Sequence, residues 1–467
     1  MKRTSLFLNL IAQLWTSPRR VDIANDSLRV AIIGSGIGGA STAFFLRQNF
    51  AQRPLSIDVY DPGSIGGRMA TVEMAGREYE VGGSVIHSRN LLMKQFLEIV
   101  GLKPNSDLNE RIAIIGKKDE VLFNELPWIG SLQMLYRYGP MTLMKLHYFI
   151  ESMLKEFHKI YDFLDNGQSF NSPRDFILAI SPRPKRKKLL KGSDSFVNLT
   201  KISIGDLLHQ MDFPSNLINE LVSVAMRCNY GQSVKDVHAF VGMVSLAGSD
   251  GSLWSVRGGN KLIPERLLKQ SNVRLLKENI TDIQSVGDGY FLGTEKRGHR
   301  FYDAVVIATP LTSDINAGLS LPDDIPKVPG KYHLTVTTIV HGTRNPEFFP
   351  EVSADFFLYS DDDSVINSIN LLKPVDYSPN GGDYPSVWKI FSQRVLSEDE
   401  IYRIFSVVHS KKVIPWLAYP DYRATHIKQG ASFPNHNHLY YINGIEWAAS
   451  AMEMSAIGGK KYCKYDV

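Results

Sequence analysis

An apolar, largely β-branched run, Leu28-Arg-Val-Ala-Ile-Ile33, passes without a break into Gly34-Ser-Gly36-Ile-Gly38-Gly39. No other segment limits the possible folds as sharply. Such a run, ended by glycine, reads as a parallel strand buried on both faces. Residues 40–50 read as a helix, and Leu55 to Tyr60 as a second strand that ends at Asp61. In a strand–helix–strand unit of this kind each glycine has its own task. Gly34 permits the tight turn, Gly36 lets backbone approach a pyrophosphate, and Gly39 lets the helix close onto the sheet. The helix N-terminus adds N–H donors and the positive end of a dipole. Asp61 follows the loop by about 20 residues, the spacing of a carboxylate that accepts from ribose hydroxyls. Asp61-Pro62-Gly63 is equally an ordinary turn sequence. The strand before the glycines and the helix after them are the context that makes a glycine cluster a dinucleotide site.

The next motif selects the dinucleotide. Ile65-Gly66-Gly67-Arg68-Met69-Ala70-Thr71 follows the acidic strand end, and Tyr79-Glu80-Val81-Gly82-Gly83-Ser84-Val85-Ile86-His87 comes soon after. A nicotinamide domain has no need of a Gly-Gly-Arg loop at this place. A long cofactor whose pyrophosphate and ring both need close backbone contact does, which favours FAD. A turn carrying a surface arginine is the plainer alternative for that loop alone.

The rest of the chain turns helical from about residue 91 to 165. Leu143, Leu146, Ile150, Leu154, Phe157, Tyr161 and Leu164 recur at three- and four-residue steps, with Pro140 suited to a first helical turn. Residues 206–229 read as a further helical stretch. Strand character returns from Val273. Asp303 to Thr309 forms a second buried-strand pattern, and residues 331–341 and 386–393 suit a mixed or antiparallel sheet. The stretch from Leu439 to Ile457 reads as strand, turn at Asn443-Gly444 and helix start.

Composition excludes several classes. The 467 residues carry a net charge of only +4, and the one basic cluster, Pro182 to Lys188, reads as a solvated loop, so no nucleic-acid face is expected. Two cysteines, Cys228 and Cys463, support neither a disulfide framework nor a structural zinc site. No apolar run approaches the roughly 20 residues that span a bilayer. Lys2-Arg3 followed by an interrupted apolar stretch to Trp15 has the outline of a weak signal peptide, and residues 1–27 are set apart from the fold. Sequons stand at Asn25, Asn198 and Asn279.

The set of Gly-x-Gly-x-x-Gly, Gly-Gly-Arg, Asp-x-Val-x-x-Ala-Thr-Pro and a C-terminal glycine turn leading to a helix resembles the amine-oxidase-like FAD superfamily. Longer strings resemble the prenylcysteine oxidases and farnesylcysteine lyases. These are Tyr79 to His87, Arg227-Cys-Asn-Tyr-Gly-Gln-Ser233, Val387-Trp-Lys-Ile-Phe-Ser-Gln393, Trp416-Leu-Ala-Tyr-Pro420 and Asn443 to Ala456. The resemblance runs from about Arg29 to Ile457 and implies an α/β chain. An FAD-binding two-dinucleotide-type Rossmann domain (28–90, 251–310 and 426–467) would carry an inserted α+β substrate domain (91–250 and 311–425). The implied activity is FAD-dependent thioether oxidation. Farnesyl- or geranylgeranyl-cysteine, left by breakdown of prenylated proteins, would be cleaved to free cysteine, a prenyl aldehyde and hydrogen peroxide, with O2 as acceptor.

The resemblance also implies site residues. Cofactor contacts are expected from Gly34, Ser35, Gly36, Gly38, Gly39, Asp61, Gly66, Gly67, Arg68, Gly82, Gly83, Ser84, Ile280, Thr309, Gly444, Glu446 and Met454. The helix beginning around Met454 would face the pyrimidine edge of the flavin. His87 is placed near the ring, and Arg227 and Tyr230 near the cysteine head; each has an equally good structural reading. The Met, Leu, Tyr and Phe content of residues 134–164 suits a prenyl chain, although core packing explains most of it. A lysosomal or endomembrane location is implied, with peripheral membrane association through the apolar substrate; oligomeric state stays open. The family continues this last helix for several turns where this sequence ends in Gly458 to Val467, so weakened cofactor retention is an expectation. Three other functions remain: a related FAD oxidase of an amine or another apolar substrate, a non-catalytic binding paralogue, and a nicotinamide-only dehydrogenase. The Gly-Gly-Arg loop disfavours the last.

Overall fold

A computed structural model describes residues 27–461 apart from 106–109, 126–128, 183–195, 249–251, 297, 317, 380–381 and 424–436. The N-terminal segment with Asn25, most of the basic cluster and the tail with Cys463 therefore lie outside the described residues. A five-stranded parallel sheet forms the base. Its order is Arg274–Leu276, Leu55–Tyr60, Leu28–Ile33, Ala304–Ile307, Leu439–Tyr441. The two strands read from sequence as 28–33 and 55–60 have those bounds. The strand Leu28–Ile33 is central, and its alternate residues serve two cores. Val30 and Ile32 pack under the helix Ile37–Asn49. Ala31 and Ile33 pack against a three-stranded antiparallel sheet, Ile280–Val286, Gly289–Thr294 and Gly298–Tyr302. Two covered faces explain why the run is apolar throughout rather than alternating.

A second layer is a seven-stranded mixed sheet. It runs in the order Phe405–Pro420, Tyr332–Arg344, Val387–Ser392, Ile366–Leu372, Phe356–Tyr359, Ile112–Ile115, Val121–Asn124. The last two strands correct the helical reading of residues 91–165. That region holds the helices Leu91–Ile99, Ile129–Tyr138, Pro140–Phe157 and Lys159–Asp165, but the chain between the first two joins this sheet. Ala113 and Ile115 reach one core, and Ile114 and Leu122 another. Four residues are too few for the period of two to stand out beside the long helical pattern that follows. The stretch 206–229 is also divided, into Ile204–Gln210 and, after Pro214, a run of short helical turns ending in Ser223–Tyr230. Pro214 cannot continue the preceding helix because it lacks an N–H.

Helices from residues 129–247 close over the end of the seven-stranded sheet. The final helix, Met452–Lys461, packs against Ile37–Asn49 and Leu91–Ile99. The two sheets and the helical cap leave one large cavity between them.

Candidate active site

The cavity has a volume of about 1560 Å³ and begins at the carboxyl end of the parallel sheet. An ordinary small-molecule pocket has roughly 300–1,000 Å³, so a cofactor and a substrate have room together. The carboxyl ends of parallel strands are where ligands bind in open α/β sheets. Here the sequence builds a bare backbone surface. Gly34 adopts φ +108, a region that L side chains avoid, and a Cβ there would also meet Thr309 Cγ2 at 2.8 Å. At Gly39 a Cβ would lie 2.0 Å from Gly34 O, so only glycine lets the helix rest on the turn. Gly36 has nothing nearer to such a Cβ than Gly66 O at 3.7 Å; its open side faces the cavity. The Gly-Gly-Arg loop is tied directly to the first glycine loop, with Gly36 and Gly66 forming an isolated parallel bridge and Gly66 N donating to Ser35 O at 3.1 Å.

Asp61 fits its turn reading and also borders the cavity. Its Oδ2 accepts from Ser35 N (2.8 Å) and Ser35 Oγ (2.6 Å), its Oδ1 accepts from Gly63 N (2.8 Å), and its side chain borders the cavity. Arg68 crosses to the far side of the site. Its guanidinium donates to Ala418 O at 2.6 Å and forms a two-pronged ion pair with Glu446. Glu446 is fully buried and also accepts from Tyr332 Oη at 3.0 Å. The paired carboxylate holds the Arg68 pKa above its usual value despite burial, which acts the other way.

Packed beside the glycine loops, Ser450 to Ser455 border the cavity and open the final helix. Glu453 locks this helix to its neighbour by accepting from Leu92 N (2.8 Å), Met93 N (3.0 Å) and Tyr161 Oη (2.7 Å). Beyond lies an apolar chamber walled by Met134, Met153, Phe157, Phe196, Phe240 and Met243.

Most of the residues expected at the site meet here. Gly34, Gly36, Gly38, Asp61, Gly66, Gly67, Arg68, Gly82, Gly83, Ser84, Thr309, Met454, His87 and Tyr230 all line the cavity. Ser35 and Gly39 do not; they shape the turn from behind, as their contacts show. Gly444 is buried in the short helix Asn443–Trp447, and Glu446 beside it reaches the cavity only through Arg68. Ile280 lies in the core between the parallel and three-stranded sheets. Arg227 is displaced from the site altogether. It is 2% exposed, and its guanidinium donates to the carbonyls of Tyr359 (2.9 Å), Ser364 (2.7 Å) and Ile366 (3.0 Å), which pins its helix to the seven-stranded sheet. Tyr230, one turn later, does face the cavity; its ring packs edge-on to Tyr419 and Tyr422 at 5.2 Å, and its hydroxyl reaches Ser450 O at 3.4 Å. Burial raises the Tyr230 pKa, so the phenol stays neutral. His87 Nδ1 accepts from Arg89 N at 3.2 Å.

Sequence reasoning missed a charged wall made by Glu80, Glu110, Asn370 and Lys389. Burial pushes the carboxyls of Glu80 and Glu110 up to about 7 and pulls the Lys389 ammonium down. One signal was available: Lys389 stands in the apolar strand Val387–Ser392, where a charge needs a reason.

Residues 123–464 match the family described as prenylcysteine lyase, and residues 32–99 match the NAD(P)-binding Rossmann-like domain. The chain belongs to the prenylcysteine lyase family. Prenylcysteine oxidase 1 of Homo sapiens is 36% identical, over 94% of this chain and 89% of that protein. The Bos taurus protein of the same name is 34% identical over 98% and 91%, and prenylcysteine oxidase 1-like of Homo sapiens is 31% identical over 92% and 88%. The architecture is shared more widely. Putrescine oxidase bound to putrescine is 12% identical with a TM-score of 0.62, covering 94% of this chain and 98% of that one. A fatty acid isomerase from P. acnes is 15% identical with a TM-score of 0.62 over the same shares. These establish the fold that a prenylcysteine lyase family member adopts here, in which one wall is glycine-rich and the other apolar.

Proposed function

We propose that this chain is an FAD-dependent oxidase of prenylcysteine thioethers, releasing free cysteine, a prenyl aldehyde and hydrogen peroxide. The observation that carries the reading is continuity: the glycine surface at the sheet ends opens without a barrier into the Met- and Phe-walled chamber. In this reading residues 28–90, 251–310 and 426–467 hold the cofactor and the rest receives the substrate.

The residues present fit FAD. Gly36, Gly66 and Gly67 give bare backbone to a pyrophosphate, Asp61 offers carboxylate oxygens to a ribose, and Gly82, Gly83, Ser84 and Thr309 border the remaining length. Bound there, FAD would supply the acceptor for a hydride from the carbon that is both allylic and next to sulfur, with O2 as the final oxidant. The protein's part is positioning. Aromatic and methionine side chains hold the isoprenoid chain by area and keep the chamber dry. Neutral Tyr230 presents a donor beside Ser450. Water adds to the sulfur-stabilised carbon, and the thiohemiacetal collapses to thiol and aldehyde. Loss of hydride from carbon requires no base, and none is assigned.

Two further features support an endomembrane setting. Asn198 and Asn279 are both exposed, as glycan acceptors must be. The helices Ile129–Tyr138 and Pro140–Phe157, whose inner residues Met134 and Met153 wall the chamber, expose Tyr136 (95%), Met141 (71%) and Tyr148 (66%) on the outside. A large exposed apolar patch marks a membrane or partner surface, and beside an apolar chamber it supports peripheral association with a bilayer. No helix among the described residues is long and apolar enough to cross one. Flotation with phospholipid vesicles, compared for wild type and Tyr136→Ser/Met141→Ser/Tyr148→Ser, tests this; equal recovery of both in the lipid fraction contradicts it.

The deciding experiment is an absorbance spectrum before and after anaerobic addition of farnesylcysteine. Flavin bands should bleach, then return with air and one equivalent of peroxide. Bands that persist with farnesylcysteine but bleach with a polyamine would assign an amine substrate instead. A colourless protein that takes up no added FAD would make this chain a non-catalytic paralogue.

A further inference from the structure

Chemistry divides the cavity. One part of its lining is the apolar chamber. Another is the charged wall, assembled from four separate parts of the chain. Glu80 ends the strand Arg77–Glu80, Glu110 precedes Ile112–Ile115, and Asn370 and Lys389 face each other as register partners on adjacent antiparallel strands. Opposed residues in such a pair project from the same face, so these two meet the cavity together. Asn370 Nδ2 donates to Glu110 Oε2 at 3.1 Å, and Lys389 Nζ donates to Ser84 Oγ at 2.7 Å. Glu80 Oε1 accepts from Asn260 N at 2.6 Å.

The wall is incomplete. Glu80 Oε2 and Asn370 Oδ1 are buried with no hydrogen-bond partner. Lys389 and Lys261 act on Glu80, and Lys389 and Lys373 on Glu110, through space and not by hydrogen bonds. A buried carboxylate oxygen without a donor is costly to keep. Glu446 and Glu453, by contrast, have both carboxylate oxygens paired. An ammonium ion supplies what they lack: it has three donors and it is positive. Lys389 acts on both carboxyls through space while its Nζ donates to Ser84, and it donates a hydrogen bond to neither of them.

We propose that Glu80 and Glu110 form the subsite for the α-ammonium group of the substrate's amino-acid head. This rests on the reading of the substrate as a prenyl thioether of cysteine. With the isoprenoid in the apolar chamber and the ammonium on the charged wall, both ends of the thioether are anchored, and the carbon beside sulfur is held between them. A thioether without the ammonium leaves the two carboxylates unpaired, the arrangement by which a polar site rejects an analogue lacking its partner group.

The test compares S-farnesylcysteine with 3-(farnesylthio)propanoate, which keeps the tail, sulfur and carboxylate but lacks the amine. Wild type should favour farnesylcysteine in kcat/KM by at least about tenfold. Glu110→Gln and Glu80→Gln preserve volume and the acceptor oxygens used by Asn370 and Asn260. Each should raise KM for farnesylcysteine by about tenfold and leave the propanoate within about twofold, so that discrimination collapses. Equal losses on both substrates, or discrimination that survives in both variants, would overturn the subsite. Calorimetric binding of the same two ligands separates this from the proposed reaction. If neither ligand is oxidised but wild type still binds farnesylcysteine more tightly and the variants do not, the oxidase reading fails and the subsite stands. Wild type that binds both ligands alike, or neither, removes the subsite.

Discussion

Arg68 and Glu446, 378 positions apart in sequence, meet as a two-pronged ion pair at the boundary of the cavity. Glu446 has no solvent contact, while about a third of the Arg68 side chain remains open to the cavity (35%). The pair thus holds a cavity-facing cation in a fixed place. Glu446→Gln should leave Arg68 without its charge partner and lower stability by about 3 kcal/mol, the cost of breaking a buried pair from one side. FAD retention should fall as well. A thermal melt with and without added FAD checks both; an unchanged melting temperature would show that Ala418 O and Tyr332 suffice.

Gly36 and Gly39 stand three residues apart and should behave in opposite ways. Gly36→Ala points a methyl into the cavity, with its nearest protein atom at 3.7 Å, so the chain should fold but hold FAD at least about tenfold more weakly. Gly39→Ala places a methyl 2.0 Å from Gly34 O and should prevent the helix from docking on the sheet. Flavin content and far-ultraviolet circular dichroism distinguish the two. A folded, flavin-loaded Gly39→Ala protein would contradict the close approach.

Arg227 should prove to be a brace and not a substrate contact. Arg227→Met removes a donor from three carbonyls; Ile366 O keeps Ser364 Oγ and Ser364 O keeps Gln393 Nε2, so the main cost falls on the buried Tyr359 carbonyl, about 1–3 kcal/mol. A drop in melting temperature and yield is expected, while the folded fraction keeps its KM for farnesylcysteine. A rise in KM without loss of stability would return Arg227 to the site.

His238 makes stability sensitive to acid. It is fully buried; Nδ1 caps the helix Ala239–Ala247 by accepting from Val241 N at 3.3 Å, and Nε2 meets Trp447 O at 3.4 Å. A proton on Nδ1 would abolish the cap, and burial lowers the pKa from 6.5 to about 3. Between these values the unfolded chain holds the proton and the folded one does not, so stability falls as pH falls through that window. At pH 5 the loss is about 2 kcal/mol relative to neutral pH. His238→Asn, which also caps, should flatten the profile between pH 6.5 and 4 in urea titrations. An identical slope in the variant would place the acid sensitivity elsewhere.

The sequence alone determined the parts whose constraints are local. The strand Leu28–Ile33, its glycine turn and the strand Leu55–Tyr60 are legible because double burial demands an unbroken apolar run and a tight turn demands glycine. The long strings from Tyr79 to Ala456 carried the family in the same direct way, as order along the chain. Tertiary structure decided what depends on convergence. Arg227 and Tyr230 sit one turn apart on one helix, yet one faces carbonyls of a sheet and the other the cavity, a difference of helix rotation that no spacing records. The short strands at 112–115 and 121–124 are strands because Phe356–Tyr359 offers hydrogen bonds to the first and the first offers them to the second, not because four residues announce a period. Glu80, Glu110, Asn370 and Lys389 span some three hundred positions, and only Lys389, in its apolar strand, stands out in the sequence. They become a charged wall only because two sheets bring them to one side of a buried space, where low polarity makes every unpaired charge count.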